Sequence, residues 1–152
     1  MRCYLDSSAL LKRAIREAET ADLRMFLEQL DGLGADFLTS ALSQVEVARA
    51  LRRAAELGRI TDERSSESYG TIMHGISFLE ASPEIITEAQ LIGGNLLRSL
   101  DAIHLATARV AGADLVVTYD ERLLQACHAA GAMTAQPGAA DPVLPRGWQW
   151  VS

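Results

Sequence analysis

The sequence predicts an α/β fold: a three-layer α/β/α sandwich on a mostly parallel central sheet with helices on both faces. Three observations predict it. Short apolar runs alternate with segments of helical periodicity along the chain. The run DLVVTY at 114–119 does not alternate polar with apolar, as suits a strand covered on both faces. Helical segments separate the runs, which is the crossover that parallel neighbours require.

The elements follow in order. CYLD (3–6) is a short strand ending in Asp6, and the serines of SSALLKRAI can cap a helix after it. A second helix runs from about Thr20 to Leu30 and stops at the breaker cluster DGLG. DFLTS (36–40) is the next strand. A long helix spans 41–58, with Val45, Ala48, Leu51 and Ala55 on one face and Gly58 as its stop. Residues 61–75 form a helix of mixed polarity, and ISFLEA (76–81) is a third strand. Pro83 opens a helix that continues to Leu91, and Gly93 and Gly94 break it. LLRSLDAIHLATA (96–108) is an apolar, buried-looking helix running on to Val110, with Asp101 in its opening turn and Gly112 beyond its end. DLVVTY, the helix of DERLLQACHAAG and a last short strand, AMTA, complete the expected domain at residue 135. Residues 136–152 hold three of the four prolines and read as an irregular C-terminal arm packed on that same domain.

Composition narrows the function classes. With 152 residues, 49% hydrophobic and 22% charged, a single globular domain is expected. A chain of this size buries roughly 70% of its unfolded surface and needs no disulfide or structural metal. Cys3 and Cys127 show no paired spacing and read as buried, reduced thiols of a cytoplasmic protein. Neither a leader pattern nor an apolar run of spanning length is present, so no membrane association is expected. The net charge of −6 argues against a broad electrostatic nucleic-acid binder but leaves room for a local basic strip. Lys12 is the only lysine, so positive charge is carried by arginines suited to forked contacts with phosphate or carboxylate.

In a parallel α/β sheet the reactive edge lies at the carboxyl ends of the strands. Asp6 closes the first strand, Glu46 lies early in the helix after the second, Asp120 follows DLVVTY, and Asp101 opens a helix. Each has a plain reading taken alone. Asp101 and Asp120 suit helix caps, and Ser43-Gln-Val-Glu46 fits a capping box. Thr118 suits an ordinary strand position, whereas Asp6, ending a strand before two serines, has less to do structurally. Together the four acids are expected to converge, repelling by about 1–3 kcal/mol per close pair, with no lysine to relieve them. Their natural occupant is Mg²⁺ or Mn²⁺, held by carboxylates and waters with positions open to phosphate oxygens. On this reading Asp101→Asn should raise the melting temperature of the metal-free protein.

YLDSSALLK, SQVEVARAL, LRSLDAIHLATA and VVTYDERLLQAC, in this order and spacing, resemble the PIN-domain family, specifically the toxin ribonucleases of VapBC toxin–antitoxin pairs. The resemblance covers about residues 2–135, making 1–135 the PIN-like nuclease domain. It implies that Asp6, Glu46, Asp101 and Asp120 are the catalytic, metal-binding quartet and that Thr118 supplies a hydroxyl that helps arrange it. It further implies Mg²⁺- or Mn²⁺-dependent endonucleolytic cleavage of RNA, a homodimer, and inhibition by a cognate VapB-type antitoxin. The tail after Gln136 lies outside the signature.

Other residues are weaker candidates. His104, three after Asp101, lacks metal-ligand spacing and reads as a packed residue. Arg13, Arg16, Arg49, Arg52 and Arg53 offer an RNA-facing surface, although an arginine face is commonly just solvated. Trp148 and Trp150 suit packing of the tail better than stacking on bases. Leu11, Ile15, Leu23, Phe26, Leu27 and Leu30 recur at helical spacing, and their excess over the core is expected to seat an antitoxin helix. Two other classes stand beside the nuclease. A non-catalytic PIN-like binding module would have less use for all four acids. A phosphoacceptor receiver domain would need a lysine near a late strand, where this chain has none.

Overall fold

The structure is a computed structural model that describes residues 1–93 and 97–139. Its elements are β1 (Arg2–Leu5), α1 (Ser7–Lys12), α2 (Thr20–Gly32), β2 (Asp36–Ser40), α3 (Leu42–Glu56) and α4 (Asp62–Met73). They continue with β3 (Ser77–Leu79), α5 (Pro83–Leu91), α6 (Ser99–Val110), β4 (Leu115–Val117), α7 (Glu121–Ala129) and β5 (Thr134–Ala135). The strands form one five-stranded sheet in the order β3-β2-β1-β4-β5, and every pairing is parallel.

The two-residue period of the strands sorts the chain into two cores. Cys3 and Leu5 of β1 and Leu115 and Val117 of β4 point to one face, where Leu10, Leu23, Phe26, Leu30, Val47, Leu51 and Ile72 cover them from α1 to α4. Tyr4 and Val116 point to the other, against Leu105 and Ala108 of α6 and Leu123 and Cys127 of α7. The expected three layers and mostly parallel sheet are therefore present. Cys3 and Cys127 are free and buried, as read from the sequence. No helix among the described residues is long and apolar enough to cross a membrane.

Several local expectations are corrected. The first helix ends at Lys12 rather than Ile15, because Arg13 turns aside to donate to the Ile72 and His74 carbonyls, tying α1 to the end of α4. Along α3 the buried residues are Ser43, Val47 and Leu51, whereas Val45 and Ala48 lie in solvent. Leu100 is 47% exposed, so the buried stripe of α6 begins at Ala102. Leu23, Phe26 and Leu30 belong to the core, and Leu11, Ile15 and Leu27 are partly buried against it, while Leu23 and Leu27 also line an open pocket with Phe37 and His74. The Tyr119 hydroxyl donates to the Pro137 carbonyl at 2.7 Å, and Gly138, with φ +83°, turns closely past Asp22. The rest of the expected C-terminal arm, with Trp148 and Trp150, lies outside the described residues.

Candidate active site

β1 and β4 are adjacent and parallel, so the residues that leave their carboxyl ends meet. Asp6 follows β1 directly and is 4% exposed; Thr118 follows β4 and is fully buried. Thr118 Oγ1 donates to Asp6 Oδ2 at 2.7 Å and accepts from the Asp120 N–H at 3.0 Å. Asp6 Oδ1 accepts from Ala9 N–H at 2.9 Å and from Ser8 Oγ at 2.7 Å, which makes Asp6 the N-cap of α1. This strand-ending acid therefore has a structural task that the sequence reading did not assign. Burial pushes the Asp6 carboxyl above its ordinary pKa, against the opposing pull of Ser8, Ala9 and Thr118.

Asp120 and Asp101 both take helix-terminal bonds. Asp120 Oδ1 accepts from the N–H groups of Arg122 and Leu123 at 2.8 and 3.1 Å, capping α7. Asp101 Oδ2 accepts from the Arg98 N–H at 3.2 Å, one turn back at the start of α6. Between these acids lies Arg122, with a terminal nitrogen 3.4 Å from Asp120 Oδ2 and Nε 3.8 Å from Asp101 Oδ2. The acids are thus not left unneutralised for want of a lysine: an arginine stands among them. Lys12 is engaged elsewhere, with Glu17, with Glu19 at 2.8 Å, and over the Tyr119 ring.

The expected capping box at Glu46 does not form. Helix α3 starts at Leu42, which places Ser43 inside it, where its hydroxyl meets Thr39 Oγ1 at 2.7 Å. Glu46 is freed to reach across to the neighbouring elements. Its Oε2 accepts from Ser7 Oγ and from His104 Nε2, the latter at 2.8 Å. His104 Nδ1 faces the Tyr4 hydroxyl at 2.6 Å, and that hydroxyl accepts from the Ser40 N–H at 3.1 Å. Burial alone would lower the His104 pKa, but Glu46 outweighs it, with Asp6 and Asp101 adding to the rise above the ordinary value. Burial likewise works to raise the Glu46 pKa, and His104 and Ser7 overcome it, so its carboxyl sits below the ordinary range.

The structure therefore joins Asp6, Thr118 and Asp120 through one hydroxyl, Asp101 and Asp120 through Arg122, and Glu46 to this edge through Ser7 and His104. The donors, carboxylates with a hydroxyl, are those a hard divalent cation takes. Among the described residues no three His, Cys, Asp or Glu side chains are grouped to hold one ion as they stand. The Arg122 guanidinium stands between Asp101 and Asp120.

The sequence reading missed Arg122 and undervalued His104. An available signal was the placement of His104 among Ala102, Leu105, Ala106 and Ala108, because a buried histidine needs a partner at each ring nitrogen. Of the arginines, Arg13 has a structural task and Arg52 pairs with Glu56 at 3.0 Å on an exposed helix face. Arg16, Arg49 and Arg53 are exposed.

Residues 3–129 match the PIN domain family. The chain is 41% identical over 138 residues to ribonuclease VapC47 of Mycobacterium tuberculosis, covering 90% of this chain and 97% of that protein. Its fold is similar to that of VapC20 of M. tuberculosis, a Sarcin-Ricin loop cleaving toxin, with TM-score 0.65 and 15% identity over 89% of this chain and 99% of that one. It is equally similar, at TM-score 0.65 and 11% identity, to a chain of VapBC2 from Rickettsia felis, covering 82% of this chain and 92% of that one. The chain belongs to the PIN-domain family, as a VapC-type member.

Proposed function

We propose that the protein is a metal-dependent endoribonuclease toxin that hydrolyses RNA phosphodiester bonds at the carboxyl edge of its sheet. The observation that carries this reading is the linked set Asp6–Thr118–Asp120–Arg122–Asp101, with Glu46 brought to it by His104 and Ser7. The name of VapC47, at 41% identity over nearly the whole of both chains, supports the choice of RNA.

Asp6, Glu46, Asp101 and Asp120 would hold the ion, Mg²⁺ or Mn²⁺, with Thr118 fixing Asp6. When bound, such an ion supplies a water of lowered pKa and positive charge for the phosphate oxygens. The chain's own residues do the rest. Thr118 and Ser8 keep the Asp6 carboxylate from rotating, and the α7 cap holds Asp120 at the edge. The low pKa of Glu46 keeps it ionised at neutral pH.

The test uses purified, antitoxin-free protein and a structured RNA with single-stranded loops. Cleavage is expected with Mg²⁺ or Mn²⁺ and not in EDTA. Asp6→Asn, Glu46→Gln and Asp101→Asn should each abolish it with unchanged circular dichroism. Metal-saturated wild type that leaves RNA whole would favour the non-catalytic binding module instead.

The partners in this reading are a VapB-type antitoxin and a second copy of the chain, in the cytoplasm. VapBC2, one chain of which is similar in fold, supports the first. Exposed Ile86, Leu91 and Leu100 on α5 and α6 suit self-association. Co-expression with the neighbouring small gene should yield a stable, inactive complex, and light scattering should return twice the chain mass.

A further inference from the structure

Glu46 is held by one oxygen. Both hydrogen bonds to its carboxylate fall on Oε2, from Ser7 and His104, and among the described residues Oε1 takes none. A carboxylate only accepts, so His104 Nε2 must carry a hydrogen. The opposite ring nitrogen meets Tyr4, whose hydroxyl is anchored by the Ser40 N–H at the end of β2. Tyr4 is fully buried and His104 is 4% exposed, so neither ring is free to swing away.

The residue choice is informative. His104 packs beside Leu105 and Ala108, where an aliphatic side chain would fill the space with no polar atoms to satisfy. A histidine there requires two partners and finds both, one anchored in the sheet and one in the candidate site. What it adds over an aliphatic residue is a directed N–H.

We propose that Tyr4 and His104 are positioning residues for Glu46, fixing its carboxylate through Oε2 so that Oε1 stays free to bind the divalent ion. The proposal rests on the metal reading above. Tyr4 acts through His104, and His104 acts through Glu46. Supporting groups of this kind typically change metal affinity by about 10–100-fold when removed.

The experiment is calorimetric titration of the full chain with Mn²⁺ alone, with a thermal melt of each variant as the folding control. His104→Leu removes the donor and should weaken Mn²⁺ binding by about 10–100-fold. His104→Gln places an amide N–H about where Nε2 was but gives up the Tyr4 contact at Nδ1, so its binding should fall between the leucine variant and wild type. Tyr4→Phe keeps the ring volume and leaves His104 unanchored, so its binding should weaken in the same direction. In a Glu46→Gln background, His104→Leu should have no further effect. If wild type binds Mn²⁺ and the folded Leu, Gln and Phe variants bind it equally well, the positioning role is overturned and the metal reading stands. Should the leucine variant not fold, the comparison of Tyr4→Phe with wild type decides in the same way. If wild type binds no Mn²⁺, the metal reading falls and takes this inference with it.

Discussion

Thr118 sits between two acids, donating its hydroxyl hydrogen to Asp6 while its oxygen accepts the Asp120 N–H, at 2.7 and 3.0 Å. No other hydroxyl in the site serves two of the quartet at once. Thr118→Val keeps the shape and removes both bonds inside a fully buried position. Leaving a buried carboxylate oxygen unpaired costs about 1–3 kcal/mol, which is roughly 2–4 °C of melting temperature per kcal/mol at this chain length. Thr118→Ser should retain most of that stability and most of the ribonuclease activity. Equal melting of the valine and wild-type proteins would show that the hydroxyl is dispensable to the fold.

Arg122 reverses an expectation drawn from charge counting. Its guanidinium stands between Asp101 and Asp120, so Asp101→Asn removes a partner from an arginine rather than relieving a bare anionic cluster. The several-degree rise expected for that variant in EDTA should therefore be absent, since partly exposed pairs of this kind contribute about 0–1 kcal/mol each. Arg122→Gln should melt slightly lower than wild type in EDTA and gain more from added Mn²⁺, because two carboxylates then lack a competing cation. A Mn²⁺ gain equal to that of wild type would exclude such competition.

The His104–Glu46 pair gives the metal-free protein a pH optimum. A histidine pKa raised in the folded state contributes stability that is complete below its ordinary value of 6.5 and is lost as pH rises through the raised value. A glutamate pKa lowered in the folded state contributes stability that is complete above 4.5 and is lost as pH falls through the lowered value. Both contributions coexist between those limits. Wild type in EDTA should melt highest there and decline as pH rises through the raised His104 value. The raised Asp6 pKa acts in the same sense as His104, whose charge in turn pulls it partly back. His104→Gln should therefore flatten part of the decline, and parallel melting profiles for the two proteins would contradict the pair's contribution.

Burial pushes the Cys127 thiol up to about 12 and raises that of Cys3 further still. Neither thiol should react appreciably with a disulfide reagent at about pH 8 until the chain is unfolded, because the thiolate is the reactive form. One equivalent released quickly from native protein would show that α7 opens readily, and two that the sheet's other face opens as well.

Much of this was legible in the sequence for a physical reason. An unalternating run such as LVV has nowhere to go but between two layers, and Pro83 and Gly112 mark helix ends through backbone constraints that neighbours do not override. Asp6 and Thr118 could be placed because they follow buried strands directly. Local pattern failed where distance in the chain mattered. Ser43 and Glu46 have capping-box spacing, yet the helix began at Leu42, and Glu46 found its partners at positions 7 and 104. Arg122 was missed because nothing in its own segment reveals that Asp101 lies across from it. His104 was undervalued for the same reason, its partner Tyr4 being 100 residues away.

The central position of β1 has a consequence for the order in which the site is assembled. Asp6 precedes its hydroxyl partner by 112 residues, and that partner lies on the strand that must still slot in beside β1. At synthesis rates of about 5–20 residues per second, that interval is on the order of 6–20 seconds. During it the nascent chain carries Asp6 without the hydroxyl that fixes it, so this edge of the sheet stays unassembled until β4 docks.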